Sequence, residues 1–131
     1  MKKSVLKYIL TTVLVLVMAV AFADVFDDVV VAMKAQSAKD ISKLMNTSVE
    51  LTINDNEGVY SKQQAEIMLR NFFAQNQPKN ITIQHKGSSG QGAKYAIAIY
   101  ESAQGKFRVY IFMKDNGNGA ALIHEIRIEK E

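Results

Sequence analysis

FRVYIFMKDNGNGAALIHEIRIEK, residues 107–130, reads as two alternating strands around a double turn signal. Apolar and polar residues alternate on both sides of Asn116-Gly117 and Asn118-Gly119, and either pair can occupy a tight turn because both of its residues tolerate positive φ. The first turn sets Val109 opposite His124; the second sets it opposite Ile128. Both give the same faces, since a two-residue shift preserves the pleat. Phe107, Val109, Ile111 and Met113 then share a core face with Leu122, His124, Ile126 and Ile128. Arg108, Tyr110, Phe112 and Lys114 share the other with Ile123, Glu125, Arg127 and Glu129.

Upstream, the same alternation predicts strands over 81–86, 94–102 and 106–114, with the last over 121–130. Gly87 to Gly92 reads as a polar, mobile, glycine-rich link, and Gln104-Gly105 as a second connection. If that connection keeps odd–even pairing, Ile97 and Ile99 join Tyr110, Phe112 and Ile123 in an apolar patch on the face away from the helices. A three-residue connection would instead turn both isoleucines into the core. Monomers rarely leave such a patch bare, so it predicts homodimerisation through the sheet.

Helices precede these strands. Val25, Phe26, Val29, Val30 and Met33 recur at helical spacing, with Asp24, Asp27 and Asp28 where the helix dipole favours acids. Ser37 and Asp40 open a short second helix that buries Ile41, Leu44 and Met45. Val49, Leu51 and Ile53 alternate as a strand, Asp55-Asn56-Glu57-Gly58 reads as its turn, and Val59-Tyr60 as a short return. Ser61 and Gln64 cap a helix striped by Ala65, Met68, Leu69, Phe72 and Phe73, and Pro78 ends it.

The first 23 residues stand apart. Lys2, Lys3 and Lys7 precede an uncharged, mostly apolar run from Tyr8 to Val20, and Ala21-Phe22-Ala23 is a small-x-small site before Asp24. This is the layout of a secretory signal peptide cut between Ala23 and Asp24. A retained anchor is the alternative, for which the run is short. Cleavage assigns 1–23 to a leader and 24–131 to one exported domain, periplasmic or secreted. The whole chain carries 16 basic and 13 acidic residues, a net charge of +3. The three leader lysines account for that excess, so the mature domain is neutral and offers no footprint for nucleic acid or for a membrane surface. No cysteine is present, so the core alone supplies stability.

Chemistry-bearing motifs are few. His85 and His124 are the only histidines, and each is placed by alternation among apolar residues, where a neutral imidazole can act as a base near neutral pH. They are candidate pocket residues. No carboxylate can be set beside either from sequence, so no catalytic residue is assigned. Two distant histidines make no metal site, and no nucleotide or cofactor fingerprint occurs.

The order helix, helix, short hairpin, long helix, four long strands resembles the nuclear transport factor 2-like superfamily. The resemblance is carried by Asp24-Val25-Phe26, Ser48-Val49-Glu50-Leu51, Glu57-Gly58-Val59-Tyr60-Ser61-Lys62 with Gln64-Ala65-Glu66, Phe72-Phe73, Gly105-Lys106-Phe107-Arg108-Val109-Tyr110 and Ile126-Arg127-Ile128-Glu129-Lys130. More narrowly, the chain is similar to an uncharacterised family of small exported bacterial proteins, a domain of unknown function. This implies an α+β, cone-shaped (cystatin-like) fold, its helices packed on a curved, mostly antiparallel sheet. It implies no one activity, because the superfamily hosts enzymes and binding modules alike. The expectation is an exported binding or scaffold module with an apolar cone pocket for a small ligand. The alternatives are a lyase or isomerase using a cone histidine as base, and a structural dimer whose cone is filled.

Overall fold

Side-chain caps start the three helices of residues 24–131 in the computed structural model, which describes those residues and, before them, only Val5. The expected leader, Val5 apart, therefore lies outside the described residues. Asp24 accepts from the Phe26 amide at 3.0 Å and opens α1 (Val25–Lys34). Ser37 accepts from Asp40 and opens α2 (Ala38–Lys43); Ser61 accepts from Gln64 and opens α3 (Lys62–Gln75), both at 3.2 Å. Each cap satisfies an amide that the helix itself leaves without a partner. Among the described residues, no helix is long and apolar enough to cross a membrane.

Among the described residues six strands form one sheet: β1 (Met45–Ile53), β2 (Asn56–Ser61), β3 (Pro78–Gly90), β4 (Ala93–Ser102), β5 (Gly105–Asp115) and β6 (Ala121–Lys130), in the order β2-β1-β6-β5-β4-β3. Every pair is antiparallel except β1 with β6. The sheet curves because its strands are bulged. β3 spends 13 residues on the 10 of β4, and the register slips three times along the pair. Each extra residue bends its strand and adds twist.

Helices cover one face. Phe26, Val29 and Met33 of α1, Ile41 of α2, and Leu69, Phe72 and Phe73 of α3 are buried against Val49, Leu51, Ala98, Tyr100, Phe107, Val109, Ile111, Ile126 and Ile128. The cone is filled by its own aromatic rings. Phe72 meets Phe107 edge-on at 5.0 Å and Tyr100 at 5.4 Å, while Phe73 stacks on Tyr100 at 6.3 Å. The buried Tyr100 hydroxyl donates to the Asn76 carbonyl at the end of α3, and burial raises its pKa far above the ordinary tyrosine range.

The connections depart from sequence expectation in four places. β3 continues through Gly87 to Gly90, so the glycine-rich link is mostly strand. The turn narrows to Gln91-Gly92, both at positive φ (53° and 78°), the requirement of a two-residue hairpin turn. The first hairpin turns at Asn54-Asp55, ahead of the expected position. Pro78 does not merely stop a helix; it begins β3. Neither Asn-Gly pair makes a two-residue turn between β5 and β6. Asp115 Oδ1 accepts from the amides of Gly117 (2.8 Å) and Gly119 (3.2 Å), and holds a longer loop.

Candidate functional site

One extra residue on each of two strands decides where both histidines point. Along β5–β6, Phe112 pairs with Glu125 and Met113 with Ile123, which leaves His124 as a bulge. Ile123 is thereby turned into the core, where it is fully buried. This corrects the expected patch, which placed Ile123 on the outer face. The same bulge turns His124 away from Ile126 and the helices, beside Tyr110 and Phe112 on the outer face, and Leu122 is half-buried there opposite Lys114. Along β3–β4, Ile83 pairs with Ala98 but His85 pairs with Ile97, so Gln84 is the bulge. His85 is out of step with Ile81 and Ile83 and is exposed. Bulges commonly re-aim side chains in this way. Neither histidine lies in the cone.

The outer face divides into two halves. Across β4 and β5 it is apolar: Ile97 pairs with Tyr110, Ile99 with Arg108 and Tyr95 with Phe112, and Tyr95, Ile97, Ile99, Tyr110 and Phe112 are half-buried. Tyr95 lies across Gly87, where an added Cβ would come within 2.5 Å of its ring. Its hydroxyl meets His85 Nε2 at 3.1 Å and its ring stacks on Tyr110 at 6.1 Å. Across β6 and β1 the face is charged. Arg127 bonds Glu125 at 3.1 Å and stands 5.5 Å over the Tyr110 ring, and Glu125 is the direct partner of Glu50.

These neighbours perturb one another. Burial raises the Tyr110 pKa, and the Glu125 charge raises it further. Burial also raises the pKa of Glu125; Arg127 opposes the rise, while Glu50 and Glu57 reinforce it. His124 Nε2 is shut off from solvent without a hydrogen-bond partner. Glu50, Phe112, Lys114, His124, Glu125 and the hairpin tip at Gly90 border an open groove of about 660 Å³. Among the described residues no three His, Cys, Asp or Glu side chains converge as metal ligands.

Sequence reading found Ile97, Ile99, Tyr110 and Phe112 but missed Tyr95, which alternates in step with the isoleucines and was available from that signal. Glu50 beside Glu125 had no local signal. Their pairing comes from the parallel contact of β1 with β6, strands separated by most of the chain.

Residues 26–129 match a protein family described as a domain of unknown function (DUF4783). A protein of that family from Bacteroides ovatus is similar at 30% identity and a TM-score of 0.74, over 79% of this chain and 93% of its own. Another, from Bacteroides uniformis, is similar at 28% identity and a TM-score of 0.76, over 82% and 98%. A designed protein of the nuclear transport factor 2 type shares 11% identity at a TM-score of 0.63, over 78% and 90%, a likeness of fold alone. The expected α+β fold, with helices on one face of a curved and mostly antiparallel sheet, is thus the observed one. No curated protein matches the chain.

Proposed function

The chain belongs to the DUF4783 family, whose function is unknown, and we propose that it is an exported, non-catalytic scaffold module that works as a homodimer through the outer face of its sheet. One observation carries this reading: the band of Tyr95, Ile97, Ile99, Tyr110 and Phe112 across β4 and β5, on the face the helices leave uncovered. A contiguous apolar band rimmed by charges is the surface a self-complementary interface uses. The filled cone argues against a ligand there, and against a base in it, since both histidines lie elsewhere. Export rests on the leader, read from sequence.

Sedimentation at tens of micromolar tests the dimer, about the range of a modest interface. Wild type should sediment as a dimer, and the pair Ile97→Lys with Tyr110→Lys as a folded monomer. A monomeric wild type would overturn the reading. N-terminal sequencing of exported protein should begin at Asp24, and a retained leader would refute cleavage.

A further inference from the structure

The groove beside the apolar band carries charge that self-association of that band does not use. Glu50 on β1 and Glu125 on β6 are direct partners in register, and both border the groove with Phe112 and Tyr110. Glu125 reaches it by plain alternation with the buried Ile126, opposite Phe112, and the His124 bulge beside it brings a second side chain to the same face. The Glu125 side chain is 18% exposed, and the Glu50 carboxylate opposite it adds to the rise that burial gives its pKa. Glu57 on β2 adds a further negative field.

The molecule already shows how this surface holds a cation. Arg127 sets its guanidinium 3.1 Å from Glu125 and 5.5 Å from the centre of the Tyr110 ring, an acid at the edge and an aromatic face beneath. Among the described residues no cation stands within 4.0 Å of Glu50. Lys114 borders the groove and likewise has no ion pair among them. Two carboxylates without a third ligand do not hold a divalent metal, which takes six or more oxygens or a fixed tetrahedral set. A single organic cation needs no such set.

We propose that the groove binds an organic cation, an alkylammonium or guanidinium group on an apolar stem. Glu50 and Glu125 meet its charge, and the ring of Phe112, with the edge of Tyr110, covers the stem. Bringing a positive charge between two carboxylates relieves their mutual repulsion, which is where the binding energy arises. Lys114 competes for the same acids and limits affinity. A free amine and a lysine or arginine side chain of a peptide present the same group.

The test is a two-dimensional NMR titration of the protein with butylammonium, with butylguanidinium, with a blocked Ala-Lys-Ala tripeptide, and with neutral butanol. The cations should shift the amides of Glu50, Phe112 and Glu125 saturably, with dissociation constants on the order of millimolar, as expected of so few atoms. Glu50→Gln should weaken binding by about tenfold, roughly 1.4 kcal/mol, and Lys114→Met should tighten it. The spectrum of each variant reports that it is folded. An Ile97→Lys, Ile99→Lys variant that sediments as a folded monomer should still bind butylammonium at Glu50 and Glu125, which separates this proposal from the dimer. Tighter binding of the tripeptide would assign a peptide source, and equal binding a free amine. Equal shifts with butanol, no saturable shift, or affinity unchanged in Glu50→Gln would overturn the proposal.

Discussion

Tyr100 on β4 donates its fully buried hydroxyl to the carbonyl of Asn76, the residue that closes α3. The bond joins the long helix to β4, beside the edge strand, at the point where Phe72, Phe73 and Phe107 pack around the same ring. Removing only the hydroxyl leaves the carbonyl in want of a donor. Tyr100→Phe should cost about 1–2 kcal/mol in urea unfolding, and Tyr100→Ala about 3–5 kcal/mol, because the latter also opens a cavity. Equal losses would show that the hydrogen bond, not the ring, holds the junction.

Ile123 and Ile97 separate the two faces of the sheet. Ile123 is fully buried opposite Met113, while Ile97 is half-buried on the outer band. Ile123→Ala should destabilise the protein by about 2–5 kcal/mol. Ile97→Ala should cost the isolated protomer far less and act on sedimentation instead. A similar loss of melting temperature for both would contradict the His124 bulge.

Gly87 makes room for Tyr95. An alanine there would force the Tyr95 ring away from His85 and from its stack on Tyr110. The ring is the movable end of a side chain, so the expected cost is about 1 kcal/mol, at the low end for overpacking. The same substitution in a Tyr95→Ser background should cost much less, which a double-mutant cycle reads directly.

Glu125 links stability to pH. Burial, and then Glu50 and Glu57, raise its pKa against the pull of Arg127. A carboxyl with a raised folded pKa stabilises most below its unfolded value, and this contribution is lost as pH rises through the folded value. Glu50→Gln removes a like charge worth on the order of 0.5–1 kcal/mol. Thermal unfolding should show it raising the melting temperature at pH 7 by a few degrees and leaving it unchanged near pH 3. A rise of equal size at both values would rule out the charge pair as the cause.

Asp24 works in the opposite sense. Burial alone would push its pKa up, but the 2.7 Å bond from Lys86 and the Phe26 amide hold it below the usual aspartate value of 3.8. Its stabilisation is present above that value and fades as pH falls through the lowered one. Both side chains are about one-third exposed, so solvent limits the pair to under ~1 kcal/mol. Lys86→Met should show that loss at pH 7 in urea unfolding and none at pH 2.

The helices, their caps and the core stripe of α3 were legible because each signal is local. Ser61 and Gln64 lie within one turn, and Leu69, Phe72 and Phe73 repeat with the helix. Ile97, Ile99, Tyr110 and Phe112 were also legible, since the tight turn between β4 and β5 preserves strict alternation. The bulges at Gln84 and His124 were not. One unpaired residue reverses every later side chain, and nothing in the composition around His85 or Ile123 marks it.

From the sequence alone came a chain without cysteine, an α+β order of elements, a capped helical layer and the apolar half of the outer face, all consequences of composition, local periodicity and short turns. Tertiary structure alone decided that Ile123 belongs to the core, that both histidines leave the cone, and that Glu50 stands beside Glu125. The physical reason is range. Alternation and capping act over a few residues, whereas bulge placement and the parallel meeting of β1 with β6 are set by how the curved sheet must close over Phe72, Tyr100 and Phe107.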